Sequence, residues 1–219
     1  METKATKTPE VTLRPILPEF RELEKMAAIL GPAQNAFSGT DIRSLKTIKR
    51  RSQSMARSLK GKIDKLLAKC LSETKPDRAI HAQPVLGAWH NLKMIAINIS
   101  NLCDDFQIKL VEKIDFSRLA EKQYRSLWSS IDQIFRRLAE ETINAEGNHS
   151  MWISISCQRL LNLIDHYEAE HEERLLLGIC PPRACSIFFN MLDSLRAIVR
   201  YLARLNTVIN QNISGRNKV

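Results

Sequence analysis

The amino-acid sequence predicts an all-α protein built from six long helices. Only 7 Gly and 8 Pro occur among its 219 residues. An all-β fold needs a turn roughly every 8–12 residues, and most turns use Gly, Pro, Asn or Asp. Apolar residues instead recur at steps of three, four and seven, which is the pattern of a buried helical face. The apolar fraction of 44% and the charged fraction of 26% are ordinary for a globular chain with its own core.

The first three predicted helices occupy the N-terminal half of the chain. The first covers residues 18–37 and ends at a Ser-Gly pair. The second begins at Thr40 or Asp41, both of which are good N-caps, and it continues to a polar loop that starts at Ser72. The third covers residues 77–113, and Pro84 predicts either a kink or a later start.

The last three predicted helices have clear end signals. The fourth covers residues 117–145 and ends before Gly147. The fifth covers residues 150–177 and ends at Gly178, where glycine permits the left-handed backbone of a helix C-terminus. A Pro-Pro pair then opens the sixth, because proline suits the first helical turn.

The helix lengths repeat as medium, long, long, and this repetition predicts the domain organisation. We expect two pseudo-repeated antiparallel three-helix bundles, which cover residues 18–114 and 115–210. Residues 1–17 are expected to form a flexible N-terminal segment, and residues 211–219 a disordered tail.

The charge of the chain indicates an anionic partner. The net charge is +9 and the sequence pI is about 9.5, which favours contact with an acidic protein surface, a membrane face or a nucleic acid. A basic helical protein without such a partner is the alternative. The sequence has no apolar run of the ~20 residues that a membrane-spanning helix needs, and no signal-peptide pattern, so we expect a soluble, cytoplasmic protein.

Five cysteines occur, and their spacing favours free thiols over disulfides. The number is odd and no C-x-x-C pair is present, so buried thiols in a reducing compartment are expected. A zinc site at Cys180 and Cys185 is a weak candidate, because the two are separated by four residues and no second pair occurs. The histidines of the segment from His166 to His171 lie on different helix faces, so they do not form a zinc-binding H-E-x-x-H motif. His171 falls on the apolar stripe, where a hydrogen-bonded core histidine is expected.

No sequence motif predicts catalysis. Phosphate-binding glycine loops, a nucleophile elbow and a catalytic Cys/His framework are all absent from the sequence. Glu168 and Glu172 form a carboxylate pair on one helix face, but Arg174 nearby offers an ion-pair explanation. We therefore expect neither an enzyme nor a bound cofactor.

Three segments resemble a known family. Residues 113–120 read KIDFSRLA, residues 171–181 read HEERLLLGICP, and residues 188–198 read FFNMLDSLRAI. Their order and spacing resemble PhoU-like phosphate-uptake regulators, most closely the PhoU-like C-terminal domain of sodium/phosphate cotransporters. The resemblance implies two three-helix bundles related by a pseudo-twofold axis. It also implies a Glu/Asp-x-x-x-Asp motif on the third and sixth helices, whose carboxylates hold metal clusters.

The sequence departs from the family at that metal-binding motif. Lys93 and Ile97 stand at the ligand positions of the third helix, and Arg196 and Arg200 at those of the sixth. A cationic side chain repels a metal ion and cannot replace a carboxylate ligand. We therefore expect the family's metal clusters to be absent and predict no metal ligand in this chain.

Two sets of basic residues are the candidate binding sites. On the sixth helix Arg196, Arg200 and Arg204 form a stripe at four-residue spacing, and Lys93 is expected on the equivalent face of the third helix. This set would bind an anion or an acidic partner, unless internal ion pairs neutralise it. The second set is a basic surface on the second helix, which would otherwise be an ordinary solvated face. It consists of Lys49, Arg50, Arg51, Arg57 and Lys60.

These observations predict a non-catalytic PhoU-like regulatory module associated with phosphate transport or its signalling. Its partner would be a phosphate transporter or an associated signalling protein at the membrane face, which places it in the cytoplasm next to the inner membrane. A homodimer is compatible with this class. The alternative is a generic basic helical module that binds nucleic acid or an anionic membrane, although no aromatic residues interleave the basic run, as nucleic-acid binding would favour. Whether the chain is a complete protein or a transporter domain stays open.

Overall fold

The structure, a computed structural model, describes residues 21–38, 41–72, 76–144 and 150–216. Within these ranges the chain forms six α-helices and no β-strand, which confirms the all-α class predicted from the sequence. The predicted flexible segment 1–17 and the predicted stop at Gly147 lie outside the described ranges. The helices are α1 (Arg21–Ser38), α2 (Ile42–Ser72), α3 (Pro76–Val111), α4 (Arg118–Asn144), α5 (Ser150–Leu176) and α6 (Pro182–Arg216).

Two predicted helix ends are confirmed by their local hydrogen bonds. Asp41 caps α2: one carboxylate oxygen accepts the backbone N–H of Arg43 at 2.9 Å, and the other accepts the hydroxyl of Ser44 at 2.6 Å. Gly178 follows the end of α5 with φ of 69°, a conformation that side chains disfavour. The N–H groups of Gly178 and Ile179 satisfy carbonyls of the last turn of α5.

The third helix does not start late. It begins at Pro76 and continues through Pro84 without interruption in the helical assignment. Proline is tolerated at a first helical position because the N–H that it lacks has no partner there. At Pro84 one backbone hydrogen bond is lost, but apolar packing on both sides of that position keeps the segment helical.

The sixth helix is longer than the sequence pattern predicts. It extends to Arg216, whereas the sequence predicts a disordered tail from residue 211. The amide of Asn206 donates to the backbone carbonyl of Ser150 at 3.0 Å, and the amide of Asn210 donates to the Ser150 hydroxyl. These contacts hold the last part of α6 against the start of α5.

One hydrophobic core joins all six helices. α3 and α6 pack against each other at its centre, α2 covers α3, and α5 covers α6. α1 contacts α2, α3 and α4, while α4 also contacts α5 and α6. This set of pairs is unchanged when the first three helices are exchanged with the last three, but the internal repeat itself stays a prediction. The two predicted bundles, 18–114 and 115–210, therefore share their core.

Aromatic residues join the two halves between α1 and α4. The ring of Phe37 stacks on Phe106 at a centroid distance of 4.7 Å and meets Trp128 edge-on at 4.9 Å. Trp128 is fully buried, and Trp89 and Trp152 are partly buried against the same core. The three tryptophans therefore contribute to helix packing.

Candidate functional site

The predicted arginine stripe of α6 divides into two parts in the structure. Successive positions four residues apart rotate by about 40° around a helix. Arg196 consequently faces α5, whereas Arg204 lies on the side of α6 that faces α3. The four residues predicted to form one face therefore do not form a single surface. They are Lys93, Arg196, Arg200 and Arg204.

Arg196 forms ion pairs with three carboxylates, which neutralise its charge. Its guanidinium lies 3.1 Å from Asp165 and 2.5 Å from Asp193, and it also pairs with Glu168. Only 12% of the Arg196 side chain is exposed. The prediction that Arg196 belongs to an open anion-binding face is therefore wrong, because α5 supplies enough acidic groups to neutralise it. The internal ion pair with Glu168 is the alternative that the sequence left open.

The other three predicted cations keep their charge available. Lys93 is partly buried, and Arg200 and Arg204 are exposed. Among the residues that the structure describes, none of the three has a carboxylate within ion-pair distance. A surface made of unpaired cations favours anions, and arginine suits carboxylate and phosphate through its forked donors. We call Lys93, Arg200 and Arg204 the α3/α6 cationic face.

Two aromatic rings lie beside the α3/α6 cationic face. The ring of His90 on α3 lies 6.4 Å from that of Tyr201 on α6, and the Arg204 guanidinium lies 5.5 Å from the Tyr201 ring centroid. Partial burial, together with the charges of Lys93 and Arg204, lowers the pKa of His90. Cations from both helices therefore lower the pKa of the same side chain, His90, whose ring is neutral near pH 7.

The basic surface predicted on α2 is partly neutralised. Lys49 pairs with Asp104 of α3, and Lys60 pairs with Asp64 at 2.7 Å. Arg50, Arg51 and Arg57 are exposed and have no ion pair within the described part of the chain. Three free guanidinium groups remain on this surface, all on one helix.

A shallow groove lies between α2 and α3. It has a volume of about 480 Å³, and its lining includes Arg57 of α2 and Ile97 of α3. Ile97 is 36% exposed. Among the described residues that line the groove, Arg57 is the only charged one, and no acidic residue occurs.

A cluster of His171, Cys180 and Cys185 is a feature that the sequence predictions missed. Cys180 and Cys185 form a disulfide, so the expectation of free thiols is wrong for these two. It is confirmed for Cys70, Cys103 and Cys157. Burial raises the pKa of Cys103 and of Cys157 to about 12, which leaves both thiols protonated and unreactive.

His171 is a hydrogen-bonded core histidine, as predicted, but only one of its ring nitrogens has a partner. Nε2 lies 3.0 Å from Oε1 of Gln123, whose amide nitrogen donates to Glu170 at 2.6 Å. Nδ1 is buried and has no hydrogen-bond partner in the described part of the chain. Burial, with a further contribution from the Arg174 charge, lowers the pKa of His171 to about 4, so the ring is neutral.

Comparison of the chain with protein-family models, curated proteins and solved structures finds no match. No described helix combines the length and the apolar character needed to cross a membrane.

Proposed function

We propose that this chain is a non-catalytic interaction module that binds an acidic protein surface through the α3/α6 cationic face. The observation that carries the proposal is the charge state of that face. Lys93 of α3 and both Arg200 and Arg204 of α6 have no carboxylate partner among the described residues. Arg196, which also lies on α6, has three. Acidic residues are thus present in this region of the bundle but leave these three cations free.

The second support is that cations of two packed helices converge. Lys93 of α3 and Arg204 of α6 both act on His90, and the central helices α3 and α6 are the most deeply packed elements of the fold. A binding surface on such helices is held rigid, so little conformational entropy is lost when a partner docks. Docking would be steered by charge and weakened by salt, since the Debye length is about 8 Å at physiological ionic strength.

The proposed biological context is regulation of phosphate transport or of its signalling, next to the inner membrane. Its support is the sequence resemblance to PhoU-like regulators, including the domain fused to sodium/phosphate cotransporters. The partner would then be an acidic surface of a phosphate transporter or of an associated signalling protein. In this context the cations at the former ligand positions replace metal binding by direct contact with an acidic partner.

Binding to an anionic membrane is the second candidate, and the surface of α2 favours it. Arg50, Arg51 and Arg57 lie exposed along one helix and have no ion pair with any residue that the structure describes. Each Lys or Arg near an anionic membrane contributes about 1 kcal/mol. Such a surface would bind lipid headgroups without any protein partner.

The experiment that tests the first proposal compares three charge variants of the full chain. The test variant is Arg200→Glu/Arg204→Glu, which avoids Arg196 because that residue supports the fold. The matched control is Arg118→Glu/Arg159→Glu, which changes the net charge equally at exposed, unpaired positions of α4 and α5. The third variant, Arg50→Glu/Arg51→Glu, tests the α2 surface.

The readouts are capture of detergent-solubilised membrane proteins in low and high phosphate, and sedimentation with anionic lipid vesicles. We expect the α3/α6 variant to lose protein capture and the other two variants to retain it. Loss in the α2 variant alone, together with lost vesicle binding, would support the membrane candidate instead. Equal protein capture by all three variants would contradict the first proposal, and unchanged vesicle binding by the α2 variant would contradict the second.

A further inference from the structure

Three potential metal ligands converge where α5 ends and α6 begins. A ring nitrogen of His171 and the sulfur atoms of Cys180 and Cys185 all lie within 4.8 Å of one another. The two cysteines are joined as a disulfide, with their Cα atoms 6.3 Å apart. We propose that the reduced Cys180–Cys185 pair and Nδ1 of His171 bind one Zn²⁺ ion, and that the disulfide is the metal-free, oxidised state of this site.

The hydrogen bonds of His171 leave the correct nitrogen free for a metal. Because the amide nitrogen of Gln123 donates to Glu170, its Oε1 faces His171 and accepts the proton of Nε2. The lone pair of the neutral ring is then on Nδ1, which is buried without a partner. Metal-bound histidines commonly donate their second nitrogen to an oxygen acceptor in this way, which fixes the ring and strengthens the ligand.

The backbone between the two helices holds both cysteines near His171 independently of the disulfide. The N–H groups of Ile179 and Cys180 donate to the carbonyl of Arg174 at 2.9 and 3.1 Å, which turns the chain back over the end of α5. The N–H of Cys185 donates to the carbonyl of Pro181 at 3.0 Å in the first turn of α6. Reduction of the disulfide therefore leaves the two thiols close to the ring.

A small cavity at this point has room for an ion. Its volume is about 40 Å³, and the described residues that line it include two of the three proposed ligands, His171 and Cys180, but not Cys185. A single water needs only about 10–15 Å³. Zn²⁺ takes thiolate sulfur at about 2.3 Å and imidazole nitrogen at about 2.0–2.1 Å, so the sulfurs separate to about 3.8 Å in a tetrahedral site. Cys180 is only partly buried and lies in the turn, which permits this movement.

The charges of the site balance when zinc is bound. Two thiolates neutralise the ion. Arg174 lines the same cavity, and one of its terminal nitrogens is buried without a hydrogen-bond partner among the described residues, so its charge also favours thiolate over thiol. The fourth coordination position is left to water.

Conversion between the two states is a two-electron reaction. A dithiol reductant supplies two electrons and two protons, the S–S bond of Cys180 and Cys185 breaks, and the two thiols of the reductant join in a disulfide of their own. When Zn²⁺ then binds, the two thiol protons of the chain pass to solvent. The ion would tie the end of α5 to the start of α6 in a reducing compartment, where the disulfide is not maintained.

The test is a Co²⁺ titration of the full chain, reduced with dithiothreitol and desalted without oxygen. We expect one Co²⁺ per chain with the absorption of thiolate-to-cobalt charge transfer, and its displacement by Zn²⁺. Cys180→Ser should abolish the charge-transfer band or weaken binding at least tenfold, and the more deeply buried His171→Asn should do the same if it folds. Matched controls are Cys70→Ser and His166→Asn, which alter a cysteine and a histidine outside the cluster and should leave the titration unchanged.

Thermal melting, compared with that of reduced wild type, shows that each variant is folded. Zinc should raise the melting temperature of reduced wild type and not that of Cys180→Ser. A reduced wild-type chain without a charge-transfer band would overturn the proposal, and so would an undiminished band in folded Cys180→Ser. Either result would leave the pair as a structural disulfide beside an ordinary core histidine.

Discussion

Replacement of Arg196 tests whether its ion pairs stabilise the fold. Replacing it by Gln removes the positive charge but keeps a polar side chain of similar reach. Asp165, Glu168 and Asp193 would then face one another without a cation. We expect this single change to lower the free energy of unfolding, because Arg196 neutralises all three of these acids.

The expected loss follows from the exposure of the three acids. Asp165 and Asp193 are 65% and 66% exposed, so each contributes only the ~0.2–1 kcal/mol of a surface ion pair. Glu168 is 31% exposed and Arg196 itself 12% exposed, so their charge-assisted hydrogen bond contributes about 1 kcal/mol more. The sum is about 2 kcal/mol, below the ~3–5 kcal/mol expected for breaking a fully buried pair.

The assay is urea denaturation followed by circular dichroism, with thermal melting in parallel. For a chain of this size, 2 kcal/mol corresponds to a fall in melting temperature of about 4–8 °C. Arg200→Gln is the matched control, because Arg200 lies one turn further along α6 and has no ion pair among the described residues. We expect its unfolding free energy to stay within about 0.5 kcal/mol of wild type. If both substitutions lowered the free energy of unfolding equally, the reasoning would be refuted, because Arg196 would then be no more important for the fold than Arg200.

Three further predictions concern stability and use the same denaturation assay. Burial, with a contribution from Asp104, raises the pKa of Asp105 to about 6, so the folded chain holds this proton more tightly than the unfolded chain. Stability is therefore lost as pH rises from about 4 to about 6. Asp105→Asn should exceed wild type by about 1 kcal/mol at pH 7, after allowance for solvent screening, and lose this advantage near pH 4. Lys113 has φ of 53°, so Lys113→Gly should stabilise the chain by about 0.5–1 kcal/mol, whereas Lys122→Gly in the exposed interior of α4 should cost about 1 kcal/mol. Phe37→Ala should cost about 3–5 kcal/mol, because its ring joins α1 to α3 and α4, and a loss below 1 kcal/mol would contradict that role.

Helix positions were predictable from the sequence because their signals are local. The Asp41 cap and the Gly178 stop depend on hydrogen bonds within a few residues, and both are confirmed. The extension of α6 to Arg216 was not predictable in this way, since it depends on contacts of Asn206 and Asn210 with Ser150, about 60 residues away. Periodicity carries no information about such distant partners.

The candidate sites were only partly predictable for a similar reason. A four-residue step turns by about 40°, so a stripe from Arg196 to Arg204 drifts by about 80° and reaches different neighbours at its two ends. The sequence identifies the cations but not the helix that faces each one. Ion pairing with α5 removed Arg196 from the open face and left Arg200 and Arg204 on it.

The His171 cluster had a usable signal in the sequence. Gly178 predicts a chain reversal, and a reversal there brings Cys180 back over the last two turns of α5, where His171 lies. Considered separately, the spacing of the two cysteines indicates free thiols, and the place of His171 on an apolar stripe indicates a core histidine. The proposed metal site follows only when the two cysteines and His171 are considered together across the predicted turn.

The measurement that tests the proposed function most directly is capture of membrane proteins by the full chain and by its Arg200→Glu/Arg204→Glu variant, at low and at high salt. The account predicts that wild type retains an acidic partner at low salt and releases it at high salt. It also predicts that the variant retains none, while Arg118→Glu/Arg159→Glu behaves as wild type. Retention of the same partner by the Arg200→Glu/Arg204→Glu variant, with its melting temperature unchanged, would contradict the account.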